Sequence, residues 1–126
     1  ATAVLAIRNG STFIGTNADS NLPNQYGMVP GAGSFVKLVE YATQQQPIMI
    51  GKPNSLILKL ALQRYHLSKD EVVMVGDNYH TDIEAAINTG MDSLLTYTGL
   101  STPDEVSKEE VAPTYQVPNL DHWQVK

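Results

Sequence analysis

The chain has 126 residues, 42% of them apolar and 17% charged, with a formal net charge of −5 and no cysteine. This is the composition of one ordinary soluble domain with a core, not of a disordered segment. It argues against nucleic acid as a partner, since no basic cluster is present, and it removes disulfides, thiolate metal sites and a cysteine nucleophile. No apolar run approaches the roughly 18 residues of a membrane span, so no membrane partner is expected. A reducing cytoplasm is compatible with the missing cysteines and is the expected location.

In chain order, ATAVLAIRNG reads as the tail of an amphipathic helix, with Val4, Leu5 and Ile7 apolar and Gly10 a cap just past its end. It opens without methionine and without an N-terminal cap. That suggests a chain cut from something longer, or a tag-cleaved product beginning at a natural helix. Thr12 to Thr16 (TFIGT) is β-branched and aromatic and predicts a strand. The next seventeen residues, NADSNLPNQYGMVPGAG, are dense in Asn, Asp, Pro and Gly and predict a long loop. A helix follows over Ser34 to Gln44, with Phe35, Leu38, Val39 and Ala42 in one apolar stripe.

Pro47 to Ile50 (PIMI) predicts a short buried strand ended by Gly51-Lys52-Pro53. Asn54 or Ser55 can cap the next helix, which carries Leu56, Leu60, Ala61 and Leu62 and ends near His66. Val72 to Val75 (VVMV) predicts another buried strand. Thr81-x-x-Glu84 has the form of a capping box, so a helix is expected from about Asp82 to Gly90. Ser93 to Tyr97 predicts a strand. The tail predicts a helical turn at Pro103 to Val106, an edge strand at Tyr115 to Val117 and a last helical turn at Leu120 to Trp123. Apolar strands alternating with helices of about ten residues imply an α/β protein with a mainly parallel, Rossmann-like sheet covered on both sides. The Met and Leu residues of these elements read as core by spacing.

Ligands of such sheets bind at the carboxyl ends of strands. Two predicted strands end suggestively, PIMI at Lys52 and VVMV at Asp77, and one right-handed crossover joins them, which would bring both ends to one rim. Gly76 permits a sharp turn from which the Asp77 carboxylate can project, a hard oxygen donor of the kind Mg²⁺ takes. A Gly-Asp turn bonding only nearby amides explains the pair equally well. Asp82, in a first helical turn, is favoured there by the helix dipole alone. Its pairing with Asp77 suggests a direct cation contact or support for one. Lys52 is by itself an ordinary surface lysine, and Gly51-Lys52 is no phosphate-binding P-loop, because Gln46 and Pro53 occupy positions that need Gly and Ser or Thr. Next to a cation-binding acid, its ammonium can neutralise a phosphoryl group and orient an anionic nucleophile. Thr16, Asn17 and Asp19 follow a strand end, and turn formation accounts for all three. His80 is expected to be an exposed loop residue, His66 to meet the dipole at a helix end, and His122 and Trp123 to pin the tail by packing.

The ordered set FIGTNAD, IGKPN, VVMVGDNYHTDIEAAINTGM and TYTGLS resembles the haloacid dehalogenase-like (HAD) superfamily of phosphohydrolases, and within it the NagD-like, p-nitrophenyl-phosphatase-like branch. The match runs from about Thr12 to Trp123. By that resemblance the fold is a three-layer sandwich. Asp77 is the Mg²⁺-binding acid, Asp82 the second acid that supports the metal's ligands, and Lys52 the lysine that contacts nucleophile and phosphoryl group. Asn78, Asn17 and Asp19 are secondary candidates. The resemblance implies a Mg²⁺-dependent hydrolase of small phosphorylated metabolites that works through an aspartyl-phosphate.

The family's nucleophile lies in an Asp-x-Asp-Gly motif near the N-terminus, and no such motif occurs among these residues. Its Thr/Ser-Asn phosphate motif is also missing, and the Thr16-Asn17 pair belongs to a later segment. Residues 1–11 resemble the last helix of a cap domain, and residues 12–126 the C-terminal part of the catalytic core. The expectation is a segment inactive by itself, whose partner is the N-terminal part of its own chain or a further copy. In the family the first strand lies beside the one ending at Asp77, so its loss would open an apolar strand edge. Two other readings remain: a non-catalytic interaction or regulatory domain, and a phosphoacceptor receiver domain. Motif order disfavours the latter, since receiver acids precede the lysine.

Overall fold

A computed structural model describes residues 1–121. The chain divides into two compact units, Ala1–Gly51 and a second beginning at Lys52. The packing expected of His122 and Trp123 lies outside the described residues, as does the second half of the helical turn expected at 120–123.

The first unit holds α1 (Thr2–Arg8), β1 (Ile14–Gly15), β2 (Asn21–Asn24), β3 (Gly27–Pro30), α2 (Ala32–Thr43) and β4 (Ile48–Met49). β1 and β4 pair in parallel, Ile14 with Ile48 and Gly15 with Met49. The segment expected to be a loop instead contains an antiparallel hairpin, β2 with β3, in register Leu22 with Val29 and Pro23 with Met28. Its turn is made by Asn24, whose side-chain oxygen accepts the Tyr26 N–H at 2.8 Å. The hairpin is solvent-exposed except at the half-buried Val29, so its residues carry no alternation of apolar and polar to reveal it. Its two prolines are tolerated because a two-stranded ribbon consists only of edges.

In α2 the apolar stripe is only partly covered: Val39 and Ala42 are half-buried. Phe35 and Leu38 are each 62% exposed, and the buried residues are Gly33 and Thr43. β4 likewise leaves Ile48 exposed. A unit of about fifty residues has too little surface to cover all of its apolar side chains.

The second unit contains α3 (Leu56–Tyr65), β5 (Val73–Gly76), α4 (Glu84–Thr89), β6 (Asp92–Thr96), α5 (Pro103–Val106) and β7 (Tyr115–Val117). The three strands form one wholly parallel sheet in the order β5-β6-β7, with Val75 beside Leu94 and Leu95 beside Gln116. β6, flanked on both sides, buries Ser93 to Thr96. Tyr79, Ile83, Leu95 and Val106 form the core, with Ile87 and Tyr97 against it. The expectation of a buried VVMV strand is corrected: β5 is an edge strand of this sheet, half-buried, with Val75 exposed. α3 also buries no residue fully, so its leucines are not core as expected. Its start is held by Asn54, which accepts the Leu56 N–H at 2.9 Å, and its end by His66 in a left-handed conformation.

The expected capping box at Thr81 and Glu84 does not form. Residues 79–83 make a π-helical turn, capped by Asn78, which accepts the His80 N–H at 3.1 Å, and α4 begins only at Glu84. Capping is taken over by Asn78 because the turn starts three residues earlier than the sequence pattern suggests. Such wide turns concentrate at functional sites. Among the described residues, no helix is long and apolar enough to cross a membrane.

Candidate functional site

The loop leaving β5 at Gly76 is built around Asp82. Asp82 is 5% exposed and sits on the π-helical turn, from which its carboxylate reaches back under the loop. One oxygen, Oδ2, accepts the backbone N–H groups of Asp77 at 3.2 Å and Asn78 at 3.3 Å. The other, Oδ1, receives the Lys52 ammonium at 2.5 Å. Both oxygens are thus engaged, which suits Asp82 to orienting its neighbours. A Cβ on residue 76 would lie 2.2 Å from Asp82 Cβ, so glycine is what lets the carboxylate fit beneath the strand end.

The far side of the loop is held from the segment that follows β6. The Ser101 hydroxyl accepts the Tyr79 N–H at 2.7 Å, and the Ser101 N–H donates to the Asp77 carbonyl at 3.2 Å. Four consecutive amides, from residue 77 to 80, therefore each donate to a side-chain oxygen. Such a loop is not an anion-binding nest, which needs free amides. Negative charge on a ligand here must be met by a side chain or a cation.

The Asp77 side chain is exposed, and no hydrogen bond or ion pair engages its carboxylate among the described residues. It lies against Gly99, where a Cβ would stand 1.6 Å from Asp77 Oδ2. The space left by that missing Cβ admits the carboxylate, and a lone hard oxygen donor fits Mg²⁺, which commonly takes one or two carboxylates and completes its octahedron with water and phosphate oxygens. Among the described residues, no group of three or more His, Cys, Asp or Glu side chains is arranged to hold an ion.

Sequence reasoning singled out Lys52, Asp77 and Asp82, and all three belong to this one arrangement. Asn78 serves as a cap. Asn17 and Asp19 belong to the first unit and bond each other: Asn17 Nδ2 donates to Asp19 Oδ2 at 2.9 Å, and Asn17 Oδ1 accepts the Asp19 N–H at 2.6 Å. That is the turn expected from their residue types. His80 is exposed as expected, with Nδ1 3.1 Å from Glu84 Oε1 and Nε2 3.7 Å from Glu109 Oε1. Gly99 and Ser101 received no role from the sequence, although both lie in the TYTGLS segment that marked a strand end.

The profile of the HAD-hydrolase-like family matches residues 49–123. The 5'-nucleotidase YutF of Bacillus subtilis is 42% identical over 123 residues, spanning 98% of this chain and 48% of that protein. The acid sugar phosphatase of Staphylococcus aureus is 45% identical over 121 residues, 96% of this chain and 47% of that one. Among solved structures, a double mutant of the thermostable NPPase from Geobacillus stearothermophilus superposes with a TM-score of 0.88 at 43% identity, covering 97% of this chain and 48% of its own. A glycerol phosphate phosphatase from Mycobacterium tuberculosis, in complex with magnesium, superposes with a TM-score of 0.83 at 35% identity, covering 91% and 35%. The chain spans about half the length of the curated relatives it matches. The fold is the α/β fold of these phosphatases, as the motif order implied.

Proposed function

The chain belongs to the HAD-hydrolase-like family, and on that premise we propose that the intact protein is a Mg²⁺-dependent phosphatase of small phosphomonoesters. The observation that carries this reading is the shared use of Asp82: one oxygen fixes the Lys52 ammonium, the other fixes the loop that presents Asp77. A cation-binding acid and a fixed positive charge are what an attacking carboxylate and a phosphate dianion require of their surroundings.

In this proposal Asp77 holds Mg²⁺, which when bound offsets charge on the phosphoryl group. Lys52 contacts phosphoryl oxygen and nucleophile, and Asp82 holds that ammonium in place. The nucleophile is an aspartate outside these 126 residues. Its oxygen attacks phosphorus, the bond from phosphorus to the ester oxygen breaks, that oxygen takes a proton from solvent and leaves as the alcohol, and an aspartyl-phosphate forms. Water then adds to phosphorus, releasing phosphate and restoring the carboxylate. Residues 1–126 alone are expected to be inactive, because the attacking group is not among them.

The substrate class rests on the relatives. A nucleotidase, a sugar phosphatase and a nitrophenylphosphatase support sugar phosphates and nucleoside monophosphates as the range. A cytoplasmic location belongs to the same proposal, and the lack of cysteine is compatible with it. The test is phosphate release by the intact protein from p-nitrophenyl phosphate, a hexose phosphate and a nucleoside monophosphate, with Mg²⁺ and with a chelator. Mg²⁺-dependent release from at least one is expected. Turnover indifferent to chelation, or none on any substrate, would contradict the proposal.

A further inference from the structure

The loop that presents Asp77 has two supports, and only one of them lies in its own motif. Asp82 holds the amides of residues 77 and 78 from below. Ser101, five residues past the end of β6, holds the carbonyl of Asp77 and the amide of Tyr79 from the side. The two Ser101 bonds straddle Asn78, so the peptide units on either side of it are both tied. With these contacts made, the backbone around Asp77 has little freedom to turn, and the direction of its Cα–Cβ bond is fixed. Gly99, two residues before Ser101, leaves the space into which that bond points.

We propose that Ser101 is a positioning residue for Asp77: its hydroxyl, through the Tyr79 amide, fixes the orientation in which the carboxylate meets the cation. The proposal rests on the reading of Asp77 as the cation's donor. The competing account is that the hydroxyl only satisfies a half-buried amide. In that account its removal costs stability and leaves cation affinity unchanged. Outer contacts of this kind typically change metal affinity or activity by about 10- to 100-fold when removed.

The experiment is Mn²⁺ binding to the intact protein, read by electron paramagnetic resonance of the free ion, for wild type, Ser101→Ala, Ser101→Thr and Asp77→Asn. Ser101→Ala is expected to weaken Mn²⁺ binding by about tenfold or more, and Ser101→Thr, which keeps the hydroxyl, to stay near wild type. Asp77→Asn is expected to abolish it. KM for p-nitrophenyl phosphate at saturating Mn²⁺ should not follow the change. If Ser101→Ala does not fold, Ser101→Cys carries the test, since a thiol is a weaker acceptor. Reduced Mn²⁺ affinity then supports the proposal and wild-type affinity overturns it. Wild-type affinity in Ser101→Ala together with loss in Asp77→Asn overturns the role of Ser101 alone. Undiminished binding in Asp77→Asn overturns both readings.

Discussion

Lys52 and Asp82 form an ion pair 30 positions apart in sequence, with Nζ 2.5 Å from Oδ1, the aspartate side chain 8% exposed and the lysine 42%. The pair is asymmetric. Asp82 is the buried partner and also receives two backbone amides, so it cannot move to follow the lysine. Lys52 lies at the solvent boundary, where its ammonium can still meet an anion.

Asp82→Asn should damage both functions of the carboxylate at once. An asparagine offers one acceptor oxygen and one NH₂, so either Lys52 or the amides of residues 77 and 78 must face a donor. A loss of about 1–3 kcal/mol in unfolding free energy is expected, toward the lower end because solvent screens the lysine. Denaturant titration of the intact protein measures it, and turnover should fall by more than the unfolded fraction explains.

Gly99→Ala should act on Asp77 directly. The new Cβ would overlap Asp77 Oδ2, 1.6 Å away, and the carboxylate would have to rotate out of its place. The exposed loop can yield, so the stability cost should be modest, about 1–3 kcal/mol as for overpacking elsewhere. The half-saturating Mg²⁺ concentration for activity should rise at least about tenfold. A variant with wild-type Mg²⁺ dependence would show that the close approach to Gly99 does not matter for the ion.

Leu95→Ala tests the platform under the loop. Leu95 is fully buried against Tyr79, Ile83 and Val106, so its truncation opens a cavity beside the π-helical turn. A cost of about 2–5 kcal/mol is expected, measured by thermal or denaturant unfolding. Tyr79→Phe, which removes the hydroxyl's 2.6 Å bond to the Val111 carbonyl, should cost less, about 0.5–1.5 kcal/mol.

Acid should loosen the start of α5. Glu105 is held below the usual glutamate range, first by the Thr102 hydroxyl and then by the Thr102 N–H, which donate to Oε2 at 2.8 and 3.1 Å. A carboxyl with a lowered folded pKa stabilises the fold above its ordinary value near 4.5 and loses that contribution as pH falls through the folded value. Glu105→Gln should therefore flatten the fall of stability with pH below that range and leave the slope at neutral pH unchanged. Unfolding midpoints measured at a series of pH values check this.

Much of this was legible in the sequence, and the gaps have physical causes. The apolar run ended by Gly76-Asp77 marked β5 and its loop, and Lys52, Asp77 and Asp82, singled out as the candidate site, are residues that the fold groups around Asp82. The hairpin at residues 21–30 was hidden because it is almost wholly exposed and carries prolines, so it shows no alternating pattern. The start of the turn after β5 was misread because Thr81-x-x-Glu84 imitates a capping box, while the amides are taken by Asn78, Asp82 and Ser101. Ser101 went unassigned because its partner Tyr79 lies 22 residues away, and spacing rules reach only local neighbours. The stripe of α2 was readable as a helix face, but the exposure of Phe35 and Leu38 was not, since periodicity gives the face and not what covers it.

The most direct measurement is anomalous diffraction from crystals of the intact protein soaked in Mn²⁺. The account predicts one strong peak at coordination distance from the Asp77 carboxylate, with both Asp82 oxygens still bonded to Lys52 and the loop amides. A peak coordinated by Asp82 in place of Asp77, or full occupancy at a site away from this loop, would contradict it.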